Sequence, residues 1–244
     1  MQPDAVGRPP DPPTPPTGGP ALRLPPAVGG LLLALIAVTL VTRLAGPQVQ
    51  GEMIVTFGLY LFLDGRFLWD RLYSLVTSVF LHDGWLHLLF NGFWIATLGT
   101  LVHRAVGGLG FLLLFFASAV AGGLAYSFWH WGETTIAIGA SGGAFGLIGA
   151  FGHLGVTRPG QAAGERLRAL LGFTAVMMLL NLAYAYVGAP GAEGADIAWE
   201  AHAGGFLAGL LLLPPLYRRQ LRRRLLTLEP RSGSGPRPLD EEQG

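Results

Sequence analysis

A few residues that could together hydrolyse an acyl bond stand out from an otherwise apolar chain. One is Ser141, set in Ile138-Gly139-Ala140-Ser141-Gly142-Gly143-Ala144-Phe145-Gly146-Leu147-Ile148-Gly149. The apolar run continues to about Val156 and stops at Thr157-Arg158-Pro159-Gly160, a helix-stop pattern. Ser141 is therefore expected at or near a helix N-terminus, where unpaired N–H groups and the helix dipole favour a developing negative charge. Taken alone, a serine capping a glycine-rich membrane helix would look the same. The reading depends on what accompanies it.

Three histidines accompany it: His82, His87 and His202. His87 and Asn91 are four residues apart and share one helix face. Gly205 and Gly209 follow His202 at i+3 and i+7, on nearly its own face. Gly142 and Gly146 form a small-xxx-small pair that permits close helix approach in lipid. Packing these two stretches together brings Ser141 and His202 to one depth. Serine is a weak nucleophile unless a base takes its proton, and the neutral imidazole of His202 is suited to that role. The oxyanion of a tetrahedral intermediate could be received by His87, Asn91 and the Ser141 backbone N–H. Glu200 lies two residues before His202 and points to another helix face, and Asp196 belongs to a loop. The pattern thus favours a Ser–His dyad over a triad. His130 falls in a short turn and reads as a surface residue.

The elements that must position these groups are membrane spans. The chain has 244 residues, 51% hydrophobic and only 13% charged, with a mean hydropathy of +0.46. A soluble domain has about 25% charged residues, so the chain reads as an integral membrane protein. All 16 basic residues are arginine, and there is no cysteine. The lack of cysteine excludes disulfides, thiolate chemistry and zinc–thiolate sites. Residues 1–24 are a proline-rich tail, read as disordered and cytoplasmic. Pro25–Leu44 is the first expected span. Gly46–Gly84 is too apolar for a plain loop and too broken for a span, and reads as a folded loop in the membrane interface, with Trp69 and Tyr73 suited to that depth. Trp85–Val102, Gly107–Phe128, Ser141–Val156 and Ala169–Val187 follow as spans. A loop at Gly188–Ala198 carries Glu193 and Asp196, and Trp199–Leu213 is the core of a sixth span, ended by Pro214-Pro215. Residues 218–244 read as a basic, polar cytoplasmic tail.

Six spans put both termini on one side. If that side is the cytoplasm, all arginines except Arg43, Arg66 and Arg71 lie inside, in keeping with the positive-inside rule. Ser141 to Val156 is only 16 residues, about 24 Å long at about 1.5 Å per residue. The hydrocarbon core is about 30 Å thick. The outer end of this helix, with Ser141, would therefore lie recessed below the membrane surface.

At this point the chain resembles the rhomboid intramembrane serine proteases. Gly139-Ala140-Ser141-Gly142 matches the family's GxSG nucleophile motif. Ala201-His202-Ala203-Gly204-Gly205-Phe206-Leu207-Ala208-Gly209 matches AHxxGxxxG, which holds the base, and His87-Leu88-Leu89-Phe90-Asn91 matches HxxxN, which supplies oxyanion donors. His82 matches the histidine that ends the family's first loop. Phe145 falls where the family has an aromatic that packs on the catalytic imidazole. The resemblance covers about Ala27 to Tyr217. It implies an all-α, six-transmembrane-helix rhomboid-like bundle over residues 25–217 with an interfacial first loop. It also implies a serine endopeptidase that cleaves transmembrane protein substrates near the outer face, in the bacterial inner membrane. One departure is Ser74, which stands where the family often has arginine after an aromatic. Trp69 and Arg71 lie nearby, and an interfacial Ser74→Arg would be tolerated by reaching headgroups.

Other classes fit less well. Gly139-x-Ser141-x-Gly143 is formally a nucleophile elbow, but that turn needs an α/β sheet. A transporter would want broken helices or membrane carboxylates. A catalytically inactive rhomboid-like binding protein would be expected to lack Ser141 or His202. Apart from the lipid bilayer and the protein substrate no partner is expected: no cofactor, no metal and no nucleic acid.

Overall fold

Pro26 opens α1 (Pro26–Leu44), where its missing N–H costs nothing. Val28, Leu31, Leu35, Thr39 and Thr42 are its buried residues, a single stripe that packs against α4. The computed structural model describes residues 24–158, 160–187 and 197–228. The proline-rich tail before Leu24, the 188–196 loop with Glu193 and Asp196, and the chain beyond Leu228 lie outside the described residues.

The stretch after α1 is folded, as its mixed composition suggested. It comprises α2 (Pro47–Phe57), a two-stranded hairpin of β1 (Phe62–Leu63) and β2 (Arg66–Phe67), a 3₁₀ turn (Trp69–Arg71), α3 (Ser74–Thr77) and a second 3₁₀ turn (Ser78–Phe80). Asp64 and Gly65 both have positive φ, at 48° and 77°, the turn geometry that suits the right-handed twist of a hairpin. The last carbonyls of α2 have no intrahelical donors. Side chains supply them. Arg71 Nη2 donates to Val55 O at 3.0 Å and to Gly58 O at 3.1 Å, Tyr73 Oη to Thr56 O at 2.8 Å, and Thr77 Oγ1 to Phe57 O at 2.8 Å. Arg71 Nη1 also donates to Tyr73 Oη at 2.6 Å, and its guanidinium lies 4.0 Å from the Tyr60 ring centroid. Arg71 is thus buried and anchors the loop. Ser74 is fully buried, 0% exposed, and its hydroxyl has no partner among the described residues. The expectation of an interfacial Ser74 that tolerates arginine is therefore corrected: the residue is buried inside the fold, with no exposed path outward for a longer side chain.

The second and third expected spans form α4 (Trp85–Trp129), broken at Gly107 with φ 78° and ψ 173°. α5 (Ser141–Phe151) follows and ends in one π-helical turn (Gly152–Val156). α6 (Ala163–Val187) and α7 (Trp199–Leu228) complete the described fold. By length and composition, α1, α4 and α6 are able to cross a membrane, and the chain is a mostly helical integral membrane protein.

α7 departs from expectation at its end. It continues through Pro214 and Pro215 to Leu228, so residues 218–228 are helix rather than loose tail. Pro214 has no N–H to give to the carbonyl of Leu210, a loss that costs roughly 3 kcal/mol in a helix interior. His153, on the π turn of α5, donates its Nε2–H to that Leu210 carbonyl at 2.9 Å. Beyond the prolines, Arg224 Nη2 donates to Arg104 O at 2.9 Å, near the Gly107 break, where the Gln220 amide also packs. Tertiary partners thus offset what the local sequence breaks.

Candidate functional site

Ser141 is the first residue of α5, after Ala140 at φ −82° and ψ 3°. It is half-buried. Gly139, two residues before it, has φ 114°, a backbone region that L side chains rarely enter. Two backbone links to the first loop hold this approach. Leu59 and Ala137 exchange N–H···O bonds at 2.9 Å, and Gly139 N–H donates to Ser78 O at 2.9 Å. The anchored loop therefore sets the entry into α5.

α5 is the buried centre of the bundle, wrapped by α4 and α7. Its glycines are what let α7 come close. An added Cβ on Gly205 would overlap the Gly142 carbonyl, and one on Gly209 would overlap the Gly146 carbonyl. Main chain thus packs on main chain, and the two small-residue pairs interlock in register. This register brings His202, one turn before Gly205, to the level of Ser141, as the spacing predicted. The Phe145 ring stacks on the His202 imidazole, with centroids 4.0 Å apart and planes 5° from parallel. Phe145 is one helical turn after Ser141 on the same face. No hydrogen bond joins Ser141 Oγ to the His202 ring. Nucleophile–base contacts often tighten only in the Michaelis complex.

His87 and Asn91 converge on Gly139. A Cβ on Gly139 would sit 2.7 Å from His87 Nε2 and 3.8 Å from Asn91 Nδ2. Only a glycine admits these two side chains so close to the backbone before Ser141. Asn91 is buried and also donates to the His87 carbonyl at 3.2 Å. His82 packs edge-on to His87 at 5.0 Å between ring centroids. It is buried without a hydrogen-bond partner for either ring nitrogen among the described residues. Burial pushes its imidazole down from 6.5 to about 3, and the neighbouring His87 acts in the same direction.

Glu200 faces away from the site, as expected. It is buried, with Oε1 3.5 Å from His130 Nε2. His130 corrects its reading as a plain surface residue. It contacts Glu133 at 2.9 Å, lies tilted against the Tyr126 ring at 4.6 Å between centroids and links the end of α4 to the start of α7. One site residue escaped the sequence reading altogether. Asn181, on α6, places Oδ1 2.9 Å from His202 Nδ1, and its Nδ2 donates to Trp199 O at 2.8 Å. The available signal was a single amide in the apolar run from Ala175 to Ala183, which in a membrane helix calls for a partner.

A serine and a histidine at one level of a helical bundle, with an imidazole and an amide close to the backbone just ahead of the serine, make up the candidate site. The chain belongs to the rhomboid family: the Rhomboid domain model matches residues 70–219. Similar relatives include Rhomboid-like protease 1 of Toxoplasma gondii, 31% identical over 62% of this chain and 49% of that protein. Rhomboid protease GlpG of Yersinia pestis is 30% identical over 58% of this chain and 47% of its own length. Rhomboid protease GluP of Bacillus subtilis is 29% identical over 73% and 32%, respectively. The chain spans half or less of the length of these relatives.

Proposed function

We propose that this chain is an intramembrane serine endopeptidase that cuts transmembrane segments of other membrane proteins near the outer face. The observation that carries this reading is the seating of His202: its ring lies on Phe145 one turn below Ser141, while His87 and Asn91 approach the backbone at Gly139. In this reading His202 takes the proton of Ser141 as the hydroxyl oxygen attacks the scissile carbonyl carbon. The oxyanion is received by the Ser141 N–H, His87 and Asn91, with the α5 dipole behind them. Collapse expels the amine, which takes the proton back from His202, and water hydrolyses the acyl-enzyme by the same route in reverse.

The proposed frame is six passes: α1, the two arms of α4 on either side of Gly107, α5 with its π turn, α6 and α7. Both termini face the cytoplasm, by the arginine distribution, in the inner membrane of a bacterium. Residues 25–217 form the protease domain. Family likeness favours single-pass substrates with a weakened helix and a small residue before the cut.

The test is a fluorophosphonate probe together with cleavage of a transmembrane reporter by the solubilised protein. Label should appear on Ser141, vanish in Ser141→Ala and be nearly lost in His202→Ala. Folded wild-type protein that neither labels nor cleaves would favour the inactive binding-protein reading.

A further inference from the structure

Asn181 is the only buried residue recorded for α6, a helix of 25 residues, at 2% exposure. Phe173, Met177 and Met178 are partly buried against the core, most of the remaining residues are exposed, and the helix's main contacts are with α7 and the π turn. An amide turned inward from such a helix is unfavourable unless both of its ends are satisfied. Both are. The Trp199 carbonyl can only accept, so the amide atom 2.8 Å from it must be nitrogen. The other end, facing His202 Nδ1 at 2.9 Å, is then the oxygen. An amide oxygen also only accepts, so His202 must carry its hydrogen on Nδ1. The lone pair is left on Nε2, the nitrogen a base needs. Phe145 fixes the plane of the ring, and Asn181 fixes its rotation within that plane.

We propose that Asn181 is a positioning residue behind the Ser141–His202 dyad, holding His202 in its Nδ1–H form and coupling the place of α6 to the state of the base. This rests on the peptidase reading above. In the other tautomer Nε2 would carry the hydrogen and could not accept the Ser141 proton, while Nδ1 and the Asn181 oxygen would face each other as two acceptors.

The experiment has one arm independent of activity. Protein with ¹⁵N-labelled histidine is examined by NMR, and the His202 signals are assigned by their loss in His202→Gln. The expected result is a protonated Nδ1 and a bare Nε2, and a protonated Nε2 overturns the proposal. In the activity arm, Asn181→Leu should lower kcat roughly ten- to hundredfold with little change in KM. Asn181→Asp keeps an acceptor for Nδ1 but cannot donate to the Trp199 carbonyl, so it should recover most of the lost kcat. Asn181→Asp as slow as Asn181→Leu, with an equal drop in thermal midpoint, would mean that Asn181 only ties two helices together, and would overturn the proposal. A wild type that shows the Nδ1–H form yet neither cleaves nor labels would support the pairing and overturn the peptidase reading instead.

Discussion

The Phe145 ring lies flat on the His202 imidazole, with 4.0 Å between centroids and 5° between planes. The two residues sit on different helices, and Phe145 follows Ser141 by one turn. The stack therefore relates His202 to Ser141, the proposed base and nucleophile, through a rigid aromatic. Aromatic pairs of this kind contribute about 0.5–1.5 kcal/mol beyond burial. Phe145→Leu fills much of the volume but cannot stack. It should lower reporter cleavage about three- to tenfold, by the same energy range, while Phe145→Tyr stays near wild type. The two are compared by kcat at matched folded protein.

The glycine pairs between α5 and α7 make a second prediction. A Cβ on Gly209 would overlap the Gly146 carbonyl, a main-chain atom that no rotamer change can move. Gly209→Ala should destabilise by about 1–3 kcal/mol and lower activity by pushing His202 away from Ser141. Gly172, on α6, has nothing within 4 Å of the same added carbon. Gly172→Ala should hold or raise the thermal midpoint, since alanine is the better helix former. Equal midpoints for the two variants would show that α5 and α7 do not meet as described.

The first loop gives a pair of opposite outcomes. Ser74→Arg forces a charge and a long side chain into a fully buried site, and should cost about 3 kcal/mol or more. Ser74→Ala removes a hydroxyl without a partner and should leave the midpoint unchanged or raise it. Arg71→Met strips donors from the Val55 and Gly58 carbonyls. It should destabilise by about 2 kcal/mol or more, and Arg71→Lys should rescue little, because one ammonium cannot reproduce the fork. Thermal unfolding in detergent checks all four variants.

His82 makes a pH prediction. Its folded-state value is lowered from 6.5 to about 3, chiefly by burial. Between those values the unfolded chain binds a proton at this site and the folded protein does not. The contribution is fully present above pH 6.5 and is lost progressively as pH falls toward 3, with a slope approaching about 1.4 kcal/mol per pH unit. Thermal midpoints measured from pH 8 down to pH 4 should fall for wild type and fall less for His82→Asn. Parallel curves would show that His82 is hydrated in solution.

How much of this was written in the chain follows from the range of each interaction. Ser141, His202, His87 and Asn91 as candidates, the glycines that interlock α5 with α7, and the membrane character of the helices were all legible. Each rests on a local pattern: a residue type at helical spacing, a small-residue pair, an apolar run. The first loop was legible as folded, but the place of its arginine was not. Arg71 matters because it reaches carbonyls 13 and 16 residues away, which no spacing rule announces. Pro214-Pro215 were read as a stop because a helix losing its own hydrogen bonds should end. The tertiary structure decided otherwise, because His153, 57 residues away, satisfies the freed Leu210 carbonyl. Asn181 was visible as an amide in an apolar run, but that it meets His202 depends on how α6 lies against α7. By itself the sequence determined which groups are candidates for the chemistry. Only the packing decided which partner each buried polar group found, because a membrane helix satisfies its own backbone locally and its side chains elsewhere in the bundle.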